Sequence, residues 1–276
     1  MYRLGWFSTA RGQGSQQLLR VVQETIASGE IEAGIVFVFC SREKGESLAT
    51  DQFLGMVADY HLPLVSLSYR RFKERRHITA TARPEALPDW RLDYDREVMA
   101  RLDGFQPDLC VLAGYMLVVG RELCRRYPMI NLHPAAPGGP RGTWQEVIWQ
   151  LIEGGARETG VMMHLVVPEL DAGPAVTYAT FPVRGEPFDR YWREIAGRPV
   201  AEIRGREGEQ NRLFQLIRRH GAARELPLVV ATIRAFSQGW VKIAGGRVVN
   251  ATGRLLPGYD LSGEIDRQVQ AILADS

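Results

Sequence analysis

Two polar side chains, Asn131 and His133, stand close together near the middle of the sequence. The surrounding segment, Met129-Ile-Asn-Leu-His133, predicts a β-strand, and residues two apart in a strand point to the same face. Pro134 follows, so the pair lies at the carboxyl end of the strand, where open α/β sheets bind ligands. An amide can donate to a developing oxyanion, and an imidazole can polarise that oxygen or move a proton near neutral pH. Taken alone, the pair also fits a strand end whose side chains only satisfy local backbone groups.

A third polar side chain, Asp171, occurs in the turn sequence Glu169-Leu-Asp-Ala-Gly-Pro174. A tight turn presents a carboxylate on a short stem, and a carboxylate beside an imidazole fixes its tautomer and favours its protonated form. No serine or cysteine is arranged with His133 as the nucleophile of an acyl-enzyme would be. The three side chains therefore favour direct attack of a bound amine on a bound acyl donor.

Alternating strands and helices must position these residues. Ile35–Cys40 and Asp108–Ala113 are almost continuously apolar, as expected of strands that are covered on both faces. We predict an α/β fold with a Rossmann-like, mostly parallel sheet and helices on both of its faces. A C-terminal helix near Leu226–Phe236 and a hairpin through Gly245-Gly246 complete the predicted fold.

The predicted catalytic domain covers residues 1–250, with insertions near 70–92 and 184–212 and a C-terminal tail at 251–276. From Tyr69 to about Leu92 the periodic pattern gives way to basic residues and prolines, which predicts a long loop. The second insertion is polar and predicted to be helical in part.

A glycine-rich segment, Gly12-Gln-Gly-Ser15, lies between the first predicted strand and the first predicted helix. Backbone N–H groups at such a helix start can bind a phosphate, although a glycine-rich turn is also a common structural feature. We take as candidates for binding an acceptor, and a phosphate on it, the residues Arg11, Gly12, Gln13, Gly14, Ser15 and Pro134.

Composition narrows the class of protein. The 276 residues are 45% hydrophobic with a formal net charge of +2, so a sizeable core is expected and nucleic-acid binding is not. No apolar stretch approaches the roughly 18 residues needed to cross a bilayer, and we expect a cytoplasmic protein. Three widely separated cysteines suggest reduced thiols, and neither a disulfide nor a metal site is predicted.

Several sequence blocks, in order and with compatible spacing, resemble the folate-dependent formyltransferases, most closely those that formylate glycinamide ribonucleotide in purine synthesis. The blocks are Tyr94-Asp-Arg-Glu97, Pro107-Asp-Leu-Cys-Val-Leu-Ala-Gly-Tyr-Met116, Asn131-Leu-His-Pro134, Glu158-Thr-Gly160, His164 and Glu169-Leu-Asp-Ala-Gly-Pro174. Gly12–Ser15 is similar to a Gly-Asn-Gly-Ser loop of that family, with Gln13 in place of the asparagine.

The resemblance implies transfer of a formyl group from 10-formyltetrahydrofolate, used as a co-substrate without a metal, to a small and phosphorylated amine. It implies that Asn131 holds the formyl oxygen, that His133 stabilises the tetrahedral intermediate, and that Asp171 orients His133 or a proton-relaying water. His164 matches a core strand position. The implied folate-binding residues are Met116, Leu117, Val118, Val119, Val167 and Glu169.

The acceptor side departs from the family pattern. Ala135–Pro140 replaces the family's Ser-Leu-Leu-Pro run, and near Ala222 the chain lacks a glutamate that the purine enzyme presents to its acceptor. Other acceptors therefore remain open: an amino-sugar nucleotide, methionyl-tRNA, or water in hydrolysis of the donor. A non-catalytic protein that binds folate or nucleotide is a third class of hypothesis. The sequence does not indicate an oligomeric state.

Overall fold

The computed structural model describes residues 1–78 and 87–274. They form two compact units, each assembled from three stretches of chain. Unit 1 comprises Met1–Asn131, Leu165–Gly173 and Ile233–Arg254, and unit 2 comprises Leu132–His164, Pro174–Thr232 and the chain from Leu255 onward. Part of the predicted insertion at 70–92 and the end of the predicted tail, residues 79–86 and 275–276, lie outside the described residues.

The first half of the chain alternates strands and helices. Its elements are β1 (Tyr2–Ser8), α1 (Gln13–Ala27), β2 (Ala33–Cys40), α2 (Leu48–Asp59), β3 (Leu64–Ser66), α3 (Tyr69–Arg75), α4 (Asp89–Arg101), β4 (Leu109–Leu112), α5 (Arg121–Arg126) and β5 (Met129–His133). The boundary between the units falls inside β5, after Asn131.

Unit 1 holds a parallel sheet with the strand order β5-β4-β1-β2-β3. Every residue of β4 is buried, as expected of a strand that is covered on both faces. An aromatic cluster fixes the packing, because the Phe7 ring contacts Phe37, Phe39 and Tyr115 at centroid distances of 5.3–5.7 Å. Burial of each such ring stabilises the fold by roughly 1.5–3 kcal/mol. The carboxyl ends of these strands are therefore held on a rigid support.

The remaining elements complete both units. They are α6 (Trp144–Glu153), β6 (Glu158–Leu165), β7 (Ala175–Pro182), α7 (Phe188–Ile195), α8 (Val200–Glu207), α9 (Arg212–Ser237), β8 (Val241–Ala244), β9 (Arg247–Asn250), β10 (Tyr259–Asp260) and α10 (Ser262–Ala274). β8 and β9 form the predicted antiparallel hairpin of unit 1. The predicted α/β class, with its mostly parallel strands and its later helix and hairpin, is confirmed.

Unit 2 pairs β6 with β7 in antiparallel fashion and β10 with β7 in parallel fashion. Helix α6 begins directly after Thr143, because Thr143 and Glu146 form a capping box that satisfies the first backbone N–H groups. Trp149 of α6 packs on Phe214 of α9 with ring centroids 5.0 Å apart. This packing builds the core of unit 2.

Two local predictions were wrong. The predicted loop after Tyr69 contains helix α3, which Ser68 caps through a bond from the Arg71 N–H and which buries Phe72. The helix predicted from Leu226 is the second half of α9, which begins at Arg212 and continues through Pro227. Its earlier turns bury apolar residues, and this burial outweighs the backbone hydrogen bond that a proline removes.

Candidate functional site

Strand β5 brings Asn131 to the carboxyl edge of the sheet in unit 1. Asn131 lies opposite Leu112 at the end of the parallel pairing between β4 and β5. The strand has the predicted bounds, Met129–His133. The structure therefore contains the strand on which Asn131 and His133 were predicted to lie, two residues apart near its end.

His133 belongs to unit 2 and is 2% exposed. Its Nε2 lies 2.9 Å from the backbone oxygen of Pro140. A carbonyl oxygen can only accept a hydrogen bond, so Nε2 carries the proton and donates it. The ring orientation of His133 is consequently fixed by the loop that replaces the family's Ser-Leu-Leu-Pro run.

His164 also lies in unit 2, and 3% of it is exposed. Its ring meets the His133 ring edge-on, with centroids 6.0 Å apart and planes at 88°. This contact makes His164 part of the wall behind His133. The burial fits the core strand position that the sequence suggests for His164.

Asp171 has an unusual backbone conformation in unit 1. Its φ is 51°, in the left-handed region, inside a turn that the bond from the Ala172 N–H to the Glu169 oxygen closes. Aspartate adopts this conformation more readily than most residues, and strained positions of this kind cluster at functional sites. The turn thus presents the half-buried Asp171 carboxylate in one defined direction.

The candidate folate residues form two segments of unit 1. Leu117 and Val119 of the first segment pack on the same apolar cluster as Val166, which precedes Val167 of the second. The Val166 N–H donates to the Met129 oxygen at 2.8 Å, which attaches the second segment to the start of β5. Met116 and Glu169 are exposed. A flat ring system could lie on this apolar surface.

The candidate phosphate loop also lies in unit 1, and it is shorter than the sequence suggests. Helix α1 already begins at Gln13, so Gly14 and Ser15 belong to its first turn. Gly12 occupies the cap position, and no side chain caps the helix. The first N–H groups of α1 therefore point away from the helix without a capping side chain, as in anion-binding helix starts.

Comparison with known proteins places these features in a family. Residues 12–187, more than half of the chain, match the family described as formyl transferase. The chain belongs to the formyl transferase family. The matched formyl transferase region contains every candidate site residue except Arg11.

Three curated relatives share parts of the chain. Phosphoribosylglycinamide formyltransferase of Escherichia coli is 35% identical over 34% of this chain and 45% of its own length. The Saccharomyces cerevisiae protein of the same name is 30% identical over 59% of this chain and 75% of its own. Formyltetrahydrofolate deformylase of Haemophilus influenzae is 33% identical over 31% of each chain. The match thus spans about half the length of the Escherichia coli relative.

A solved structure extends the similarity of fold beyond the matched region. Glycinamide ribonucleotide transformylase 1 of Symbiobacterium toebii superposes with a TM-score of 0.60 and 22% identity, over 93% of this chain and 94% of its own. The second half of the chain therefore also follows the fold of the formyl transferase family.

A buried ion pair supports one candidate folate segment of the formyl transferase region, and the sequence alone did not single it out. Arg91 and Asp95 are joined at 2.9 Å, with side chains 5% and 1% exposed. Arg91 Nη2 also donates to the Val118 oxygen at 2.5 Å, and Asp95 accepts from the Gly120 N–H at 2.7 Å. The pair thereby fixes the backbone of the 116–119 segment. Its i,i+4 spacing on α4 was a usable signal.

Two further features bear on the chemistry of the described residues. Burial raises the pKa of the Cys40 thiol to about 11, which does not suit a nucleophile. Within residues 1–78 and 87–274, no group of three or more His, Cys, Asp or Glu side chains could hold a metal ion. In the same ranges no helix has the length and apolar content to span a bilayer.

Proposed function

We propose that this protein transfers the formyl group of 10-formyltetrahydrofolate to the amino group of a small phosphorylated acceptor, glycinamide ribonucleotide being the first candidate. One observation carries the proposal: the formyl transferase match includes Asn131, His133 and Asp171 together with both folate segments. The names of the curated relatives support the choice of acceptor. The three free cysteines, of which Cys40 and Cys110 are buried, fit a cytoplasmic enzyme.

The proposed reaction is a direct transfer. The acceptor nitrogen attacks the formyl carbon, the C=O bond becomes a C–O⁻ single bond, and a tetrahedral intermediate forms. The intermediate collapses as the bond from carbon to N10 of the folate breaks, N10 gains a proton and the acceptor nitrogen loses one. No cysteine or serine of the protein is acylated.

Each catalytic side chain has a distinct proposed role. The Asn131 amide donates to the formyl oxygen and stabilises the charge that develops there. His133, whose ring is oriented by the contact of Nε2 with the Pro140 oxygen, stabilises the same intermediate. Asp171 orients His133 or a water that carries the proton from the attacking nitrogen to N10.

The decisive experiment measures release of tetrahydrofolate from 10-formyltetrahydrofolate with a panel of amines. The panel contains glycinamide ribonucleotide, amino-sugar nucleotides, methionyl-tRNA and a control without amine. Turnover with glycinamide ribonucleotide alone is the expected result. Equal turnover without any amine would identify donor hydrolysis, the activity named for the Haemophilus influenzae relative. No turnover with any partner would contradict the proposed enzyme.

Replacement of His133 tests the catalytic assignment. The change His133→Ala should lower kcat by about 10²–10⁴-fold and leave donor affinity within a few fold, because the imidazole acts mainly in the transition state. His164→Gln is the matched control, since it alters the neighbouring buried ring. It should reduce thermal stability while kcat stays within about tenfold. Near-normal turnover by His133→Ala would disprove the assignment.

A further inference from the structure

Arg42 is a buried cation without an acidic partner among the described residues. It is 5% exposed, and its Nε is fully buried without a hydrogen-bond partner. Its Nη1 donates over a long distance, 3.4 Å, to the Oγ of Ser47, the N-cap residue of α2. A buried charge costs several kcal/mol unless it is paired. This arrangement is therefore expected where a ligand brings the missing negative charge.

The position of Arg42 indicates which ligand that is. Arg42 lies two residues beyond the end of β2, at the carboxyl edge of the unit 1 sheet. The preceding residue, Ser41, donates from its N–H to the Ser8 oxygen at 3.0 Å and from its hydroxyl to Thr9 Oγ1 at 2.9 Å. These bonds join the loop after β2 to the end of β1. Arg42 thus lies next to the chain that leads into the Gly12–Ser15 segment.

Two further hydrogen bonds connect α2 with the chain before α1 and with α1 itself. Thr50, in the first turn of α2, donates from its hydroxyl to the Ala10 oxygen at 3.2 Å. Gln16 of α1 reaches the Ala49 oxygen at 3.4 Å. The start of α1, with its uncapped N–H groups, and the loop that carries Arg42 are therefore parts of one assembly within unit 1.

A second arginine lies near Arg42, at Tyr69. The Tyr69 hydroxyl accepts from Arg70 Nε at 3.4 Å and also lies beside Arg42. Burial alone would raise the pKa of Tyr69, but the hydrogen bonds from Arg70 and Arg42 lower it. Arg71, in contrast, already pairs with Glu43. Two cations therefore converge on Tyr69 without an ion pair among the described residues.

Glu46 is the acidic group that competes with a ligand as the negatively charged partner of Arg42. Its Oε1 accepts from the Glu43 N–H at 2.7 Å, and its Oε2 is buried without a partner. A structural ion pair between Arg42 and Glu46 is therefore the alternative that an experiment must separate from ligand binding.

We propose that Arg42 binds the phosphate of the acceptor, together with the backbone N–H groups at the start of α1. The planar guanidinium carries several N–H donors, whose geometry matches the oxygens of a phosphate. The inference rests on the proposed function, because it assumes that the amine is phosphorylated. It adds an arginine outside the glycine-rich segment to the residues that would select such an amine.

The test measures binding of inorganic phosphate to the full chain by calorimetry, without any turnover. Arg42→Met should raise the phosphate Kd at least tenfold, whereas Arg71→Met, which removes an exposed and already paired charge, should change it less than threefold. Glutarate and chloride at matched ionic strength separate a phosphate site from a carboxylate site and from general screening. Binding of glutarate in preference to phosphate would overturn the proposal.

Thermal unfolding in phosphate-free buffer separates a ligand site from a structural ion pair. Arg42→Met should raise the Tm there, because it removes an unpaired buried charge, and it should abolish the rise that phosphate produces in the unaltered protein. A lower Tm for both Arg42→Met and Glu46→Gln, with an unchanged phosphate Kd, would assign the pair as structural and disprove the proposal.

Kinetics then separate this inference from the proposed function. Arg42→Met should raise the KM for a phosphorylated amine at least tenfold with little change in kcat or in the KM for the donor. Normal acceptor KM with active enzyme would refute the inference and leave the function standing. Phosphate binding through Arg42 without formyl transfer would leave the inference standing and refute the function.

Discussion

The change Gly138→Ala tests whether the loop after β5 controls catalysis through His133. Gly138 has φ +77°, and an added Cβ would meet no atom within 4 Å, so the substitution changes the backbone alone. A left-handed conformation costs an L-residue roughly 1–2 kcal/mol. The loop is therefore expected to relax, and the Pro140 oxygen, two residues on, to move away from His133 Nε2.

The effect on rate follows from that movement. The hydrogen bond between His133 and Pro140 holds the imidazole ring in place with a free energy of about 1 kcal/mol. If its loss raises the activation free energy by the same amount, the rate falls roughly fivefold. Displacement of the ring by about 1 Å would extend the loss towards 100-fold. We therefore expect kcat for Gly138→Ala to fall about 5- to 100-fold.

Gly253→Ala is the matched control for this experiment. Gly253 has φ +84°, and its Cβ position is equally empty, but it lies in unit 1, beyond the β8–β9 hairpin. Both variants should lose a similar 1–2 kcal/mol in urea unfolding. Only Gly138→Ala should lose kcat in the tetrahydrofolate-release assay. Equal kcat values for the two variants would refute the idea that this loop positions His133.

Two further predictions concern the stability of unit 2. In Gly160→Ala, the new Cβ would lie 2.4 Å from the Ala179 oxygen of the paired strand, so the unfolding free energy should fall by about 3 kcal/mol. Gly205→Ala, in an open part of α8, should instead gain up to about 1 kcal/mol, and two losses of equal size would contradict this difference. Burial, assisted by Arg224, lowers the pKa of His220 to about 4. The folded state then resists protonation, so the Tm should drop as the pH falls from about 6.5 towards 4, and His220→Gln should show a smaller drop; an identical drop would exclude His220 as its cause.

Patterns of local periodicity account for the correct part of the predicted fold. Strand β5 has the predicted bounds because a short apolar strand is encoded by adjacent residues. Helix α3 carries one fully buried apolar residue, Phe72, so its pattern resembled a basic loop. The helix predicted near Leu226 begins earlier, at Arg212, because the preceding turns of α9 bury apolar residues such as Leu213 and Phe214.

Some residues of the candidate site could likewise be predicted from the sequence, and others only from the structure. Asn131, His133 and Asp171 could be proposed from strand-end and turn positions, and the family match includes all three. The contact of His133 with Pro140 depends on the path of the loop after β5, and the glycines in this loop do not allow its path to be predicted from the sequence. Arg42 could not be singled out, because one arginine after a strand is ordinary until its burial and lack of an acidic partner are known.

Because both units interleave along the chain, neither can be completed during synthesis until its last stretch leaves the ribosome. Unit 1 needs the residues from Ile233 to Arg254, and unit 2 needs residues beyond Leu255. A nascent chain that ends at Asn131 therefore lacks two of the three stretches of unit 1 and exposes apolar surface that those stretches would cover. Chaperone demand during translation should consequently persist until nearly the whole sequence has been made, and fragments cut at a unit boundary should be poorly soluble.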